Sequence, residues 1–379
     1  MARPRVLVLT RWYPTPTSPE QGTFVEDWTR VLARFADTAV LHLTRSPPDA
    51  DIAGSSAHCR GQIPYFGLPI RWQGARRPVS HLMDLHTTQA AIERLHSKTP
   101  FDMLHAHAYP AATATRLAAR RLRIPYVVTE HFSRLIRRDA RWHHLREARF
   151  ALRGAAELMA VGPALGEAVE AVSGRPVTIV PNPVPDSFMV APTPDPGPTF
   201  RLLSVGRLER IKGFDIGLEA LARLRSKTDT KWVIAGEGGE RSELMHQADR
   251  LGLADHVDLV GAVSRPEVHR LMSSSHAILI PSRSETFSVV AAESLMTGRP
   301  VITTRCGGPE AFIGPENGRV VDVADPQALA SALESVLANL DEFEPHRLAS
   351  TARSTFSEQA IEASLQEVYE RALSARSER

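Results

Sequence analysis

The stretch "HAILIPSRSETFSVVAAESLMTGRPVITT", residues 276–304, spells out a strand, a helix and a second strand in chain order. "HAILIP" is a short apolar run suited to a buried strand. Phe287 to Met296 reads as a helix, closed by Gly298, which can take a left-handed turn, and by Pro300, which cannot continue it. "VITT" is β-branched and extended again. Two strands joined through a helix make a βαβ unit, and such a crossover forces the strands to be parallel.

The same alternation runs outward in both directions. "RLLSVG", "KWVIAGEG", "VDLVG" and "GRVVD" complete a set of strands in the second half. In the first half "RVLVLT", "TAVLHL", "DMLHAH", "PYVVTEH", "LMAVG" and "VTIVPN" form another, with helices such as "TFVEDWTRVLARFA" and "AAIERLHSK" between them. The pattern predicts an α/β protein of two Rossmann-like, doubly wound domains. Residues 1–190 form the first and 191–355 the second, with the proline-rich "VAPTPDPGPTF", residues 190–200, as linker. The final segment 356–379 places Ile361, Leu365, Val368, Tyr369 and Ala372 on one helical face, and we expect it to pack back on the first domain. Open parallel sheets bind ligands at the carboxyl ends of their strands, so two such domains are expected to face a central cleft.

At 379 residues, with 43% hydrophobic and 23% charged residues, the chain has the composition of a folded two-domain protein. Its two cysteines, Cys59 and Cys306, have no disulfide or zinc spacing, which suits a reducing compartment. The apolar run near the start, Val6–Leu9, is too short for a signal sequence, and no later run approaches a membrane span. The expected location is cytoplasmic, with peripheral contact at the inner membrane face left open. A net charge of +2 gives no reason to expect nucleic acid. The charge is uneven: residues 1–190 hold 24 Lys+Arg against 16 Asp+Glu, the remainder 21 against 27. Seven arginines from Arg134 to Arg153 concentrate this excess. Either a solvated helix face or attraction to an anionic lipid or phosphorylated acceptor would account for them.

Chemistry is sought in the loops after strands. "GRLERIKGFD" carries Arg207, Arg210 and Lys212 between a strand and a helix, a place where backbone donors and fixed cations can hold a diphosphate. Glu285 precedes the helix of the opening stretch, where the helix dipole favours a carboxylate. Glu293 lies eight residues on, roughly two turns below, among Val289, Val290, Ala291, Ala292 and Leu295. A carboxylate there is costly to bury without hydrogen-bond donors, and vicinal ribose hydroxyls would supply them. No G-x-G-x-x-G opens either half in a dinucleotide-binding context, which counts against a nicotinamide enzyme.

The E-x7-E spacing of Glu285 and Glu293, joined to the G-R-x4-K-G loop, resembles family 4 of the retaining, nucleotide-sugar-dependent glycosyltransferases of GT-B architecture. "GTFVEDWTRVLA", "DMLHAH", "PYVVTEHFS", "VTIVPNPV", "IAGEG" and "NGRVV" extend the resemblance over nearly the whole chain. The resemblance implies that Glu293 binds the donor ribose and that Glu285 holds hydroxyls of the transferred sugar. The backbone amides of Phe287, Ser288 and Val289 would cap the diphosphate, while Arg207 and Lys212 neutralise the departing nucleotide. His131 would stand beside the transferred sugar, and Gly22 would provide the flexible turn after the first strand. His105 and His107 read as structural. The chain departs from the family pattern with "QG" in place of a glycine pair at Gly22, and with Ser288 where glycine is frequent.

The same resemblance implies transfer with retention, by attack on the face the leaving group departs from, with a phosphate oxygen taking the acceptor proton. It implies no cofactor and no metal, the nucleotide sugar being a cosubstrate. "DAD" at residues 49–51 has the wrong context for an acidic metal motif. Family frequency favours a UDP-linked hexose or N-acetylhexosamine, then GDP-mannose. The acceptor is a hydroxyl of a glycan, a lipid-linked sugar or a small molecule. A nucleotide-sugar epimerase and a non-catalytic sugar-nucleotide-binding protein are the rival readings.

Overall fold

The computed structural model describes residues 3–16, 18–44, 58–60, 62–70, 78–137, 141–195, 197, 199–224 and 229–377. The chain forms two compact units, Met1–Pro183 with Glu358–Arg379, and Val184–Ser357.

In the first unit β1 (Arg5–Thr10), β2 (Asp37–Thr44), β3 (His58–Arg60), β4 (Ile63–Pro69), β5 (Met103–His107), β6 (Tyr126–Glu130), β7 (Glu157–Ala160) and β8 (Thr178–Ile179) build one sheet in the order β3-β4-β2-β1-β5-β6-β7-β8. All its pairings are parallel except β3 with β4. The sequence pattern did not predict β3 and β4. Pro64, Gly67 and Pro69 mask a strand signal, and an edge position tolerates proline because one side of the strand needs no ladder donor. Helices α1 (Thr23–Phe35), α2 (Pro78–Lys98), α3 (Tyr109–Leu122), α4 (Trp142–Arg153) and α5 (Pro163–Ser173) connect the strands.

The second unit has a six-stranded parallel sheet of β9 (Phe200–Val205), β10 (Thr230–Ala235), β11 (Val257–Gly261), β12 (Ala277–Ile280), β13 (Val301–Thr304) and β14 (Gly318–Val321), ordered β11-β10-β9-β12-β13-β14. This is the Rossmann order, which reverses direction between its first and fourth strands, here β9 and β12. Helices α6 (Phe214–Leu224), α7 (Arg241–Arg250), α8 (Arg265–Ser273), α9 (Val289–Thr297), α10 (Pro326–Ala338) and α11 (Pro345–Phe356) accompany it. Trp232 fills the centre of the core, and its indole N–H donates to Ser204 at 3.0 Å.

The last helix, α12 (Glu358–Ser377), belongs to the first unit. Its residues Ile361, Leu365, Val368, Tyr369 and Ala372 are all buried. Burial of each large aliphatic side chain stabilises by about 1.5–3 kcal/mol. Tyr369 packs edge-on against Phe35 of α1, and Arg30 Nε donates to Glu358 at 2.7 Å.

The structural division falls after Pro183, not after residue 190, because the residues just before the expected linker bond to the second unit: the Val184 N–H donates to the Phe356 carbonyl at 2.8 Å and the Phe188 carbonyl accepts from Arg353 at 3.2 Å. The start of the linker is held there too. Arg299, fully buried, donates to the carbonyls of Ala191 at 2.9 Å, Pro192 at 2.6 Å, Ser273 at 2.8 Å and Met272 at 3.2 Å. Burial draws its pKa down to about 10, which still leaves the guanidinium charged at neutral pH. An arginine with five rigid donors is one of the few side chains able to satisfy so many carbonyls at once. Arg299→Ala orphans those acceptors, and we expect a loss of about 3–4 kcal/mol in urea unfolding, with a lower midpoint and little change in slope.

Candidate active site

The loops after β9 and β12 meet at the reversal of the second sheet. After β9 the chain passes through a 3-10 turn, Arg210–Lys212, to Gly213, whose φ is 67°. A side chain at Gly213 would overlap the Pro281 carbonyl, since a Cβ there would lie 2.0 Å from its oxygen. Only glycine permits this approach, and the approach draws Lys212 towards the loop after β12. Lys212 Nζ lies 2.8 Å from Glu285 Oε1, and Ser282 Oγ donates to the same oxygen at 2.8 Å. Both charged side chains are largely covered. Arg283 locks the two loops from beneath with a forked pair of 2.7 Å bonds to Asp215 at the start of α6. Partial burial opposes ionisation of Asp215, but the hydrogen bonds and charge of Arg283 outweigh it and hold the carboxyl below its ordinary range. The sequence reading did not single out Ser282, Arg283 or Asp215: Arg283 and Asp215 pair across 68 residues, and a serine three residues from Glu285 carries no signal of its own.

Arg207 does not join this cluster. Its side chain is 75% exposed and pairs with Glu209 at 2.6 Å.

The helix after Glu285 starts two residues later than its sequence predicts, at Val289, because Ser288 adopts a left-handed conformation with φ 73° and ψ 84°. For a residue with a Cβ this costs about 1–2 kcal/mol and explains why glycine suits the position. The first bond closing the helix runs from the Ala291 N–H to the Ser288 carbonyl, so the preceding amides, Val289 among them, stand at the helix end where N–H groups lack intrahelical acceptors. Phe287 turns its ring inward against Phe312 and Phe356, at centroid distances of 5.3 and 5.6 Å, and so anchors the loop.

Glu293 is buried, as its apolar neighbours suggest, but its donor comes from the protein. Arg265 Nη2 at the head of α8 lies 2.7 Å from Glu293 Oε1. A ligand is therefore not needed to compensate the burial, which corrects the argument made from the sequence.

In the first unit the corresponding reversal lies between β1 and β5. Gly22 caps α1 with φ 77°, and a Cβ there would lie 2.3 Å from the Trp12 carbonyl carbon. His131 follows β6. Phe24 lies 4.9 Å from its ring, and Trp12 contacts both Phe24 and Phe132, so these aromatics hold the Gly22 turn and His131 together.

His131 is the outer member of a column. His107 Nδ1 and His131 Nε2 are 2.8 Å apart, and the imidazoles of His105, His107 and His131 stack at centroid distances of 4.5 and 5.0 Å. Trp28 stands edge-on to all three. His105 bonds Tyr369 of α12 at 2.8 Å and Thr129 at 2.7 Å. Burial, reinforced by the neighbouring imidazole of His105, pushes His131 down to about 3. Burial takes His105 down to about 3 as well, and His107 well below its ordinary value. His131 is thus a neutral hydrogen-bonding group at physiological pH and a weak base. The supporting role of His107 was not apparent from "HAH", since the stack depends on the pairing of β5 with β6.

Glu130, also missed by the sequence reading, is fully buried beside it. Its carboxyl accepts from the N–H groups of Tyr109 at 2.9 Å, His131 at 3.0 Å and Phe132 at 2.8 Å, tying the His131 loop to the start of α3. The "DAD" triplet and Arg138 lie outside the described residues.

Two Rossmann-type units, each with polar side chains gathered where its strand order reverses, have the architecture of the GT-B fold. The model for glycosyltransferase family 4 matches residues 21–188, and that for glycosyl transferases group 1 matches residues 190–355. D-inositol 3-phosphate glycosyltransferase of Paenarthrobacter aurescens is 28% identical over 387 residues, covering 94% of this chain and 90% of the relative. Glycogen synthase of Mycobacterium tuberculosis is 30% identical over 250 residues, 62% of this chain, and the match spans 60% of that relative's length. Sucrose-phosphate synthase from Thermosynechococcus elongatus superposes with a TM-score of 0.83 at 18% identity, over 98% of this chain and all of the other. Anabaena HepE, solved with UDP and glucose, gives 0.78 at 18% identity over 97% and 100% of the two chains. The chain belongs to glycosyltransferase family 4.

Glu130 generates a test by pH. Burial raises its pKa to about 7, against the opposing pull of its three main-chain donors. An unfolded glutamate releases its proton near 4.3, so between about 4.3 and 7 the folded state binds more protons and stability falls as pH rises. Urea unfolding at pH 5 and pH 8 should show a decline attributable to this group, on the order of 3 kcal/mol at most. In Glu130→Gln that component of the decline should vanish.

Proposed function

We propose that the chain is a retaining glycosyltransferase that moves a hexosyl or N-acetylhexosaminyl group from a nucleotide sugar to an acceptor hydroxyl. The observation that carries the reading is the Lys212–Glu285–Ser282 cluster at the strand-order reversal of the second unit, next to the amino end of α9. Lys212 donates one N–H to Glu285 and keeps two donors for a diphosphate, while Glu285 retains acceptor capacity for sugar hydroxyls. The amides of Phe287, Ser288 and Val289 add donors aimed at negative charge. Glu293, oriented by Arg265, is assigned to the ribose. Arg207, exposed and free to swing from Glu209, is assigned to the outer phosphate.

In the reaction the bond between the anomeric carbon and the phosphate oxygen breaks as the acceptor oxygen bonds to that carbon from the same face. The acceptor proton passes to the departing phosphate, leaving nucleoside diphosphate and glycoside. Charge grows on the leaving oxygen, so the fixed cation of Lys212 contributes most in the transition state. His131 acts as a neutral hydrogen-bonding partner of the sugar, in keeping with its depressed pKa. The reaction as written draws on no metal or cofactor. UDP is the favoured nucleotide, a reading supported by HepE, a relative in fold that was solved with UDP and glucose. GDP-mannose is the second choice.

Lys212→Ala and Glu285→Gln should each lower turnover by about 10²–10³-fold, the scale of losing one electrostatic contact to the transition state, with circular dichroism unchanged. Near-normal rates would remove these assignments. Incubation with UDP-sugars and no acceptor should give only slow hydrolysis; a new nucleotide sugar would establish an epimerase instead.

A further inference from the structure

The first unit exposes a basic and aromatic surface along α4. Ala148, Ala151 and Leu152 bury one face of this helix. Trp142, Arg146, Arg149, Phe150 and Arg153 all lie exposed on the other. Their spacings of i, i+4, i+7, i+8 and i+11 make a single stripe. Trp142 is 69% exposed, an uncommon state for so large an apolar ring on a free surface. Arg146 lies over that ring at 5.6 Å, and exposed Arg141 precedes it.

The one acid of α4, Glu147, turns away from the stripe to Thr113 and to His81 of α2, at 3.3 and 3.6 Å. That contact brings α2 beside α4, and the two residues after His81 add exposed apolar surface, Leu82 at 64% and Met83 at 53%. At the other end of α4 a cavity of about 910 Å³ is lined by Arg120, Arg123, Arg153 and Arg175, with no carboxylate in its wall among the described residues. Arg175 and Arg153 are partly engaged with main-chain carbonyls there, whereas Arg120 and Arg123 lie at the free end of α3.

We propose that α4, with the start of α2 and this arginine-lined cavity, docks the protein on a bilayer containing anionic phospholipid. A soluble anion would account for the arginines but not for Trp142, Leu82 and Met83. Tryptophan favours the membrane interface, apolar side chains gain from entering it, and each nearby basic residue strengthens binding to an anionic leaflet about fivefold. Among the described residues no helix is long and apolar enough to cross a membrane, so contact through this face would be peripheral.

The test uses the full chain with sucrose-loaded vesicles of phosphatidylcholine, alone or mixed with phosphatidylglycerol. Sedimentation with the mixed vesicles only, weakened by salt, is expected. Arg141→Ala combined with Arg146→Ala should lower partitioning at least tenfold, and Trp142→Ala should also lower it. All three side chains are exposed, so thermal midpoints should not move. Met245→Ala, exposed in the second unit, should bind as the parent does. Equal binding to both vesicle types, or unaltered binding by the α4 variants, would overturn the proposal. So would stabilisation by pyrophosphate that is lost in the Arg141→Ala, Arg146→Ala variant, without any vesicle binding by the parent, which would assign the surface to a soluble anion.

Discussion

The ion pair between Lys212 and Glu285 depends on one topological constraint, the adjacency of β9 and β12 across the reversal of the second sheet. Chain segments leaving two such neighbouring strands diverge to opposite faces, so their loops leave a notch above the sheet edge. Gly213 lets one loop press against Pro281 of the other, and the charges close across that contact. Asp215 and Arg283 then fix the same two loops from below. Half-covered charges are stable here because every one has an opposite partner.

The first unit solves a different problem. Its histidines are stacked beside Trp28, His105 and His107 buried and His131 only partly exposed, so holding a second proton would require placing charge in a poorly solvated site, and the column stays neutral. Neutral imidazoles can bond in series, and this series runs through ring contacts from Tyr369 on α12 to His131. The C-terminal helix is thereby packed against the base of the histidine column, at His105, as well as against α1.

Buried charge elsewhere follows the rule that it must be paired or densely hydrogen-bonded. Glu293 has Arg265, Glu130 has three main-chain amides, and Arg299 has a group of carbonyls. Each of these residues joins segments distant in the chain. Their substitution should therefore be felt as a loss of local order more than of surface charge.

Much of this was legible in the residues themselves. Alternating apolar runs and helical periods predict parallel α/β units, because periods of two and 3.6 are imposed by backbone geometry. Twelve strands follow from that pattern, as does the apolar face of α12. Glu285 and Lys212 stand out because charge in loops after strands is where ligands bind. The edge strands β3 and β4 were hidden by proline and glycine, which local propensity reads as turns. What tertiary structure alone decided is which charged groups share a partner. Lys212 reaches Glu285 across 73 positions, Arg265 reaches Glu293 across 28, and His107 reaches His131 across 24. Such contacts arise from strand order and register, and a linear pattern carries no distance between residues that only the sheet brings together.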